Sequence, residues 1–261
     1  MNDLANNTSS FSSGAGMNVL NANIDTLLID LWGTVARSDN REPIRDLQEI
    51  LGYKVQSIDH SDVRSVDPEF LRVCLTTDEK DPVLFAQKVG NYFGLAVTPD
   101  MVTRFVKVIN VESQCAMLFI DAIKALKELK ARGYKLVLAS NLWPFPVDCL
   151  FEEDNLGGLF PEQWRAYSFR EKVAKPEVSF FAKTMVRAET SAENCMMIGD
   201  HLENDILPAR EKGILTCLID RTGKYRQDPN VPADVLHIGS MLDLLEMLPD
   251  RTQHAAPLGA N

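Results

Sequence analysis

The 261-residue chain is 45% hydrophobic and 25% charged, which is the composition of an ordinary soluble globular protein. Its formal net charge of −10 repels nucleic-acid phosphates and anionic membrane surfaces, so we expect neither as a main partner. No apolar run reaches the roughly 18 residues of a membrane-spanning helix. The length allows one large domain, or a core domain that carries a smaller one.

The N-terminal residues, the cysteines and the histidines indicate the cellular compartment in which the protein is expected. Residues 1–23 are rich in Ser, Asn and Gly and lack the layout of a secretory signal, so we predict a disordered leader there. The five cysteines form no CxxC pair and the four histidines show no HxxxH spacing, which argues against disulfides and structural zinc. We therefore expect a reducing, cytoplasmic location, and the sequence leaves the oligomeric state open.

Short apolar runs alternate with helical patterns along most of the chain. Strands that are apolar throughout and separated by helices indicate an α/β fold with a parallel sheet covered on both faces. The last strand is followed by a helix that Ser240 caps. Pro176 stands at the first position of its predicted helix. The predicted strands are 26–30, 135–140, 164–169, 195–198, 215–219 and 235–238, and the predicted helices are 119–132, 176–188, 203–212 and 240–248.

The segment 37–117 interrupts this alternation and has mostly helical patterns, with Asp81 as an N-cap before Pro82. A helical insert after the first strand is expected to lie over the carboxyl edge of the sheet as a cap. The predicted helices are 42–51, 68–75, 81–93 and 99–117. We predict a Rossmann-like core over 24–36 and 118–250, a cap over 37–117, and a flexible tail over 251–261.

Polar residues follow several of the predicted strands. Asp30, Ser140 and Asp200 each stand at a strand's carboxyl end, which is where ligands bind in open parallel sheets. Four short motifs occur in chain order at these strand ends and at helix starts. They are Asp30-Leu31-Trp32-Gly33-Thr34, Ser140-Asn141, Lys175-Pro176, and Gly199-Asp200 with Asp205.

Together the four motifs resemble those of the haloacid dehalogenase superfamily, over about residues 24–220. The resemblance implies a Rossmann-like, doubly wound α/β core with an inserted helical cap, and a hydrolase that uses an aspartate nucleophile. An aspartate can attack an electrophilic centre and split one difficult step into two easier ones. Asp30 is the candidate, and the backbone N–H groups around Trp32, Gly33 and Thr34 are predicted to bind phosphoryl oxygens as a small anion nest.

Asp200 and Asp205 would bring three carboxylates into a small volume with Asp30. Like charges at such distances raise one another's pKa unless a cation is present, and carboxylate and carbonyl oxygens suit Mg²⁺. The resemblance implies that Asp30, Asp200 and the backbone carbonyl of Trp32 are ligands, with Asp205 as a ligand or a supporting group. The alternative is that Asp200 caps a helix and Asp205 is a solvated helical residue.

Two further motifs are expected to hold the phosphoryl group. The resemblance assigns the Ser140 hydroxyl to a phosphoryl oxygen, with Asn141 beside it, although Ser140 can also cap the following loop. Lys175 stands at a predicted helix entrance, where a cation and the helix N-terminus favour an anion. Lys172 is a competing candidate, but the Lys175-Pro176 pair matches the family pattern better.

Trp32 departs from the family pattern. Phosphatases of this superfamily mostly carry a second Asp two residues after the nucleophile, as acid and base, and an indole can act as neither. The chain could be a phosphatase for a substrate with a good leaving group, such as an acyl phosphate, or one that uses His201 to move a proton. It could also be a metal-independent 2-haloacid dehalogenase-like hydrolase, whose halide leaves without a proton. A third reading is a weakly active or non-enzymatic relative that binds a phosphoanion or a protein.

The set of three carboxylates favours a phosphatase, because their mutual repulsion lowers the stability of the fold unless a bound cation offsets it. We therefore predict an Mg²⁺-dependent phosphatase that acts on a small phosphorylated metabolite through an aspartyl-phosphate on Asp30. Ser140 and Lys175 would hold the phosphoryl oxygens. The sequence does not identify the substrate.

Overall fold

The computed structural model describes residues 23–38, 42–54, 66–115, 117–152 and 156–254. The predicted leader lies, except for Asn23, outside these residues. Among the helices described, none is both long enough and apolar enough to cross a membrane.

Six parallel strands form the central sheet, in the order β5-β4-β1-β6-β7-β8. The prediction of a Rossmann-like α/β core with a parallel sheet is confirmed. The strand β1 lies at the centre, where it pairs with β4 on one side and with β6 on the other. The strands are β1 (Thr26–Ile29), β4 (Lys135–Ser140), β5 (Arg165–Tyr167), β6 (Cys195–Gly199), β7 (Leu215–Ile219) and β8 (Leu236–Ile238).

Both faces of the sheet are buried, because successive side chains of a strand point to opposite faces. Leu27 and Ile29 belong to one apolar cluster, which includes residues of helix α5 (Ile120–Ala131). Leu28 belongs to a second cluster, which includes residues of helix α8 (Val178–Arg187). This two-sided burial explains why the strands are apolar throughout.

Four helices follow β1 and pack around a third apolar cluster, to which Trp143 of the loop after β4 also belongs. Each begins with a proline, which suits the first turn of a helix, where the missing N–H needs no partner. Asp67 and Asp81 cap α2 and α3 by accepting hydrogen bonds from backbone N–H groups. The domain limits at 37 and 117 remain a prediction. The helices are α1 (Pro43–Ile50), α2 (Pro68–Thr76), α3 (Pro82–Tyr92) and α4 (Pro99–Cys115).

The ends of this helical segment are tied together by two very short strands. Strand β2 (Ala36–Arg37) pairs antiparallel with β3 (Met117–Leu118). The prediction of a helix through residue 117 is therefore wrong at its end, because the backbone of 117–118 bonds to another strand. Two-residue strands leave no periodic signal in the sequence.

Three further predictions are corrected by the structure. The strand predicted at 164–169 covers only Arg165–Tyr167 and passes directly into the short helix α7 (Ser168–Glu171). The helix predicted from Pro176 begins at Val178, since the Glu177 N–H donates to the Ala174 carbonyl in a turn across a cis Lys175–Pro176 bond. The helix predicted at 203–212 is a π turn (Leu202–Ile206) followed by α9 (Leu207–Glu211).

The C-terminal end of the described chain is anchored to the core. Residues Arg251–His254 form a 3-10 turn within the segment for which the sequence predicts a flexible tail. The Arg251 N–H donates to the Arg132 carbonyl at 3.0 Å, and its guanidinium donates to the Ile24 carbonyl at 2.6 Å. Residues 255–261 of the predicted tail lie outside the described residues. The remaining short helices are α6 (Val147–Leu150) and α10 (Leu244–Met247).

Candidate active site

Three carboxylates meet at the carboxyl ends of the central strands. Asp30 follows β1, and Asp200 follows the neighbouring strand β6, to which Asp30 is tied by a 3.0 Å hydrogen bond from its N–H to the Ile198 carbonyl. Asp205 lies on the π turn that begins two residues after Asp200. Each of the three offers an oxygen that lies within 4.8 Å of the others. Asp30 and Asp205 are buried, and Asp200 is half-buried.

Two glycines allow the carboxylates to come this close. A Cβ on Gly33 would lie 2.0 Å from an oxygen of Asp200, and the residue has a φ of +81° that favours glycine. A Cβ on Gly199 would lie 2.5 Å from the carboxyl carbon of Asp205. Any other residue at either position would push a carboxylate out of the cluster.

Lys175 lies among the carboxylates and neutralises part of their charge. Its ammonium group donates to Asp30 Oδ1 at 2.6 Å and to Asp205 Oδ1. Asn141 holds the backbone of Lys175 from both sides: its Oδ1 accepts from the Lys175 N–H at 2.8 Å, and its Nδ2 donates to the Lys175 carbonyl at 2.9 Å. The Asn141 side chain therefore positions Lys175.

The other oxygen of Asp205 is also held. Asp205 Oδ2 accepts from the backbone N–H of His201 at 3.1 Å. Asp205 is only 1% exposed, so it is not the solvated helical residue of the alternative interpretation. Each carboxylate oxygen has a second lone pair, so these bonds are compatible with metal ligation.

The electrostatics of the cluster are those of buried acids with one internal cation. Burial raises the pKa of Asp30 to about 7, with Asp205 and Asp200 adding to the shift and Lys175 opposing it. Burial and the Asp205 charge raise the pKa of Asp200 to about 6. Burial alone would lower the pKa of Lys175, but the charges of Asp205 and Asp30 raise it above its ordinary value. One ammonium is too little positive charge for three carboxylates.

Three buried hydroxyls at or just after strand ends lack hydrogen-bond partners within the described residues, and one of them is the Tyr167 hydroxyl at the end of β5. Ser140 Oγ at the end of β4 and Thr34 Oγ1 in the loop after β1 are both fully buried and unpaired. Buried hydroxyls are ordinarily hydrogen-bonded. Ser140 and Thr34 are both among the predicted phosphoryl-binding residues, and neither hydroxyl has a hydrogen bond within the described residues that a ligand would have to replace.

Gly33 belongs to the predicted anion nest, and its N–H already has a partner within the loop. Its N–H donates to the Ala36 carbonyl at 2.7 Å, so it closes the turn after β1 and is not available to an anion. The carbonyls of the same loop are also used: Arg221 donates from Nε to the Gly33 carbonyl at 3.3 Å and from Nη2 to the Thr34 carbonyl at 2.8 Å. This loop is braced by its own turn and by Arg221.

Arg221 is a site component that the sequence did not reveal. It lies just after β7, pairs with Asp121 at 2.9 Å and places its guanidinium 3.9 Å from the ring centre of Phe119. Nothing in its spacing relates it to residue 33, which is 188 positions away. Gly199 was visible beside Asp200, but its steric purpose depends on where Asp205 lies.

The side-chain partners of the competing candidates lie outside the cluster. Lys172 has a left-handed backbone with a φ of +58° and forms an ion pair with Asp78 at 3.6 Å. The His201 imidazole is 47% exposed and contacts Glu203 at 3.2 Å. The contact that joins His201 to the cluster is made by its backbone N–H.

Trp32 faces a cavity of about 530 Å³. The cavity is also lined by Gly33 and Asn141, which lie next to site residues in the chain, and by residues of the helical segment. It therefore adjoins the carboxylate cluster on the side of the helices.

Comparison with known proteins gives one family and a common fold. A family model described as haloacid dehalogenase-like hydrolase matches residues 24–213, which include all four motifs. Glyceraldehyde 3-phosphate phosphatase of Methanocaldococcus jannaschii is 26% identical over 174 residues, which are 61% of this chain and 67% of that protein.

Two solved structures illustrate the range of the fold. The 2-haloacid dehalogenase from Pseudomonas syringae pv. Tomato DC3000 aligns with a TM-score of 0.55 at 17% identity, covering 86% of this chain and 97% of that one. A HAD family enzyme from Bacteroides thetaiotaomicron, in complex with magnesium and inorganic phosphate, aligns with a TM-score of 0.52 at 20% identity, covering 76% and 94%. These likenesses concern the fold alone.

Proposed function

The chain belongs to the haloacid dehalogenase-like hydrolase family, and from that premise we propose that it is an Mg²⁺-dependent phosphatase of a small phosphorylated metabolite. The observation that carries the proposal is the cluster of Asp30, Asp200 and Asp205 with Lys175 at the sheet edge. The similarity to glyceraldehyde 3-phosphate phosphatase of Methanocaldococcus jannaschii supports the same reaction class.

The residues present fit a hard divalent cation. Three carboxylate oxygens within 4.8 Å of one another are the ligand type that Mg²⁺ prefers. Asp30 and Asp200 would hold it, with the Trp32 carbonyl as a further ligand and Asp205 as a ligand or as the group that holds Lys175. The ion would supply positive charge that offsets the phosphoryl group.

Asp30 is the proposed nucleophile. One of its oxygens forms a bond to phosphorus while the bond from phosphorus to the substrate oxygen breaks, which leaves an aspartyl-phosphate and a departing alkoxide or phenolate. A water molecule then attacks phosphorus, the bond to Asp30 breaks, and inorganic phosphate is released. Lys175, 2.6 Å from Asp30 Oδ1, orients the carboxylate and stabilises negative charge on the phosphoryl oxygens.

The hydroxyls of Ser140 and Thr34 complete the proposed phosphoryl site. Ser140 Oγ and Thr34 Oγ1 are buried without partners, and each can donate a hydrogen bond to a phosphoryl oxygen. Binding of phosphate would thus satisfy polar atoms that otherwise reduce stability. Asn141 keeps Lys175 in place through its backbone.

The test measures phosphate release from 4-nitrophenyl phosphate with Mg²⁺ and with EDTA, beside chloride release from 2-chloropropionate. We expect phosphate release that depends on Mg²⁺ and no chloride release. Metal-independent chloride release would replace the proposal with a dehalogenase. A folded protein that is inactive in both assays, yet binds phosphate, would favour a non-enzymatic relative.

A further inference from the structure

The cavity beside Trp32 is the candidate binding site for the leaving group of the substrate. Its volume of about 530 Å³ lies within the range of small-molecule sites, about 300–1,000 Å³. Trp32 and Gly33 follow Asp30 in the chain, and Asn141 follows Ser140, so the cavity begins where the phosphoryl site ends.

The wall of this cavity is mainly apolar. Two indoles, Trp32 and Trp143, are joined by aliphatic side chains from the helical segment and from the loop after β4. Flat or aliphatic surface of this kind favours a ligand with an apolar, aromatic body. The aliphatic lining residues include Ile44, Leu71, Leu75 and Leu142.

Among the described lining residues, no side chain is suited to give a proton to a leaving oxygen. The lining carboxylate, Glu42, is engaged in a salt bridge with Arg45, whose guanidinium donates to Glu42 Oε2 at 2.5 Å. The other polar lining groups are the hydroxyl of Ser38, the amides of Asn141 and Asn204, and the guanidinium of Arg37. None of these groups is an acid near neutral pH.

We propose that the substrates are phosphate monoesters whose leaving group has an apolar aromatic body and a weakly basic oxygen, as in an aryl phosphate. This proposal rests on the phosphatase function proposed above and names the substrate class of the same site. When the bond from phosphorus to oxygen breaks, the electron pair leaves with the aryl oxygen as a phenolate, which takes its proton from solvent. A phenol, with a pKa of about 10, needs no acid, whereas an alkoxide does.

The first arm of the test compares kcat/KM for 4-nitrophenyl, phenyl and 1-naphthyl phosphates with that for glycerol phosphate, in Mg²⁺. We expect glycerol phosphate to be slower than phenyl phosphate by on the order of 10²- to 10⁴-fold, the range that a positioned acid contributes. The Trp32→Asp variant should narrow this gap and Trp32→Phe should not. Equal rates for aryl and alkyl esters in the natural protein would overturn the proposal.

The second arm measures binding without turnover. In the Asp30→Asn background, we measure the Kd of 1-naphthyl phosphate and of inorganic phosphate, in Leu71→Asn and in the control Leu84→Asn. Leu71 lines the cavity, whereas Leu84 is 47% exposed on α3 and does not. Leu71→Asn should weaken naphthyl phosphate about tenfold and leave inorganic phosphate unchanged, while the control changes neither.

The two arms separate the failure of the substrate class from the failure of the phosphatase function. Mg²⁺-dependent turnover without preference for aryl esters would refute the class alone. Naphthyl phosphate that binds through Leu71, with no phosphate released from any ester, would refute the reaction and leave the cavity's ligand class standing. Equal weakening of both ligands by Leu71→Asn and Leu84→Asn would show that the cavity does not bind the leaving group.

Discussion

The carboxylate cluster and the helical segment are built on different principles. In the cluster, parallel register sets the positions: Asp30 and Asp200 follow paired strands, and two glycines leave room for oxygens within 4.8 Å. In the helical segment, Phe85 and Phe105 pack against each other and against Trp143 of the loop after β4 through apolar contacts, and helix caps set only where each helix starts. The cluster is thus sensitive to small displacements, whereas the helical segment tolerates changes of shape and is suited to adjust what is bound.

Removing the nucleophile tests the cluster most severely. Asp30→Asn keeps the size of the side chain and removes its charge, so the proposed aspartyl-phosphate cannot form. We expect phosphatase kcat to fall by on the order of 10⁴-fold or more, with folding intact. The control is Asp148→Asn, at a carboxylate whose side chain is 86% exposed, and its kcat should equal that of the natural protein. Similar kcat values for the two variants would exclude Asp30 as the nucleophile.

A single methyl group measures how closely the cluster is packed. The Cβ of Gly199→Ala would lie 2.5 Å from the Asp205 carboxyl carbon, so Asp205 must move and its contact with Lys175 is lost. A displacement of about 1 Å can cost about 10²-fold in rate, and we expect a loss of this size in kcat together with weaker Mg²⁺ binding. Gly239→Ala is the control, because nothing lies within 4 Å of its added Cβ. Normal kinetics in both variants would show that Asp205 is dispensable.

A substitution that loosens the packing of the helical segment should lower the stability of the protein, whereas a substitution in the cluster should lower its activity. Trp143 is 2% exposed, and its indole packs on Phe85, Phe105 and Phe145 with ring centres 4.9–5.8 Å apart. Trp143→Ala should lower the free energy of unfolding in urea by about 3–5 kcal/mol. The Kd for Mg²⁺ in calorimetry should stay near that of the natural protein. A large loss of Mg²⁺ affinity would show that the two regions are coupled.

The features of this fold that the sequence predicts are those with a local physical cause. The strands Lys135–Ser140 and Leu215–Ile219 have the predicted bounds, because a buried strand is an apolar run with polar or glycine neighbours. The starts of α2 and α3 follow from Asp-Pro pairs, which cap a helix within one turn. Asp30 and Asp200 could be selected because a strand's carboxyl end is readable in the sequence, whereas Asp205, on the π turn, was indicated by the family resemblance.

The rest depends on contacts between distant segments. Asn141 holds the turn at Lys175–Pro176, and the Gly33 N–H donates to the Ala36 carbonyl. Neither hydrogen bond leaves a periodic pattern in the sequence. The brace from Arg221 to the loop after β1 arises only when β7 lies two strands from β1 in the sheet. The cavity is likewise formed by residues of several elements, so its volume and lining could not be read from the chain.

Arg221 tests whether the loop after Asp30 needs support from outside its own turn. Arg221→Gln removes the ion pair with Asp121 and weakens the bonds to the Gly33 and Thr34 carbonyls. Hydrogen bonds to charged groups contribute about 1.5–3 kcal/mol, and we expect a loss of unfolding free energy near that range. If the arginine positions the loop, Arg221→Lys should restore kcat in part while KM changes little. If stability falls and kcat does not, the arginine only stabilises the fold.

The smallest effect concerns the charge of the cluster and follows from the raised pKa values of Asp30 and Asp200, about 7 and about 6. In EDTA the folded protein holds protons that the unfolded chain, with ordinary carboxyl pKa values, has already released. This contribution to stability is therefore complete at acid pH and is lost as the pH rises through 6 to 7. We expect Tm in EDTA to fall by a few degrees from pH 5 to pH 8, since each kcal/mol corresponds to about 2–4 °C at this size.

Mg²⁺ should reverse this fall, because above pH 7 the carboxylates are ionised and binding to the folded state stabilises it, whereas at pH 5 protons compete for the same oxygens. The matched variant is Asp200→Asn, whose Tm in EDTA should depend less on pH and respond less to Mg²⁺. Taking the difference between the two proteins cancels the titration of groups elsewhere in the chain. If Mg²⁺ raised Tm equally at pH 5 and pH 8, the cation would be binding away from the three carboxylates. The sheet edge would then differ from the helical segment in its packing and not in its binding of a cation.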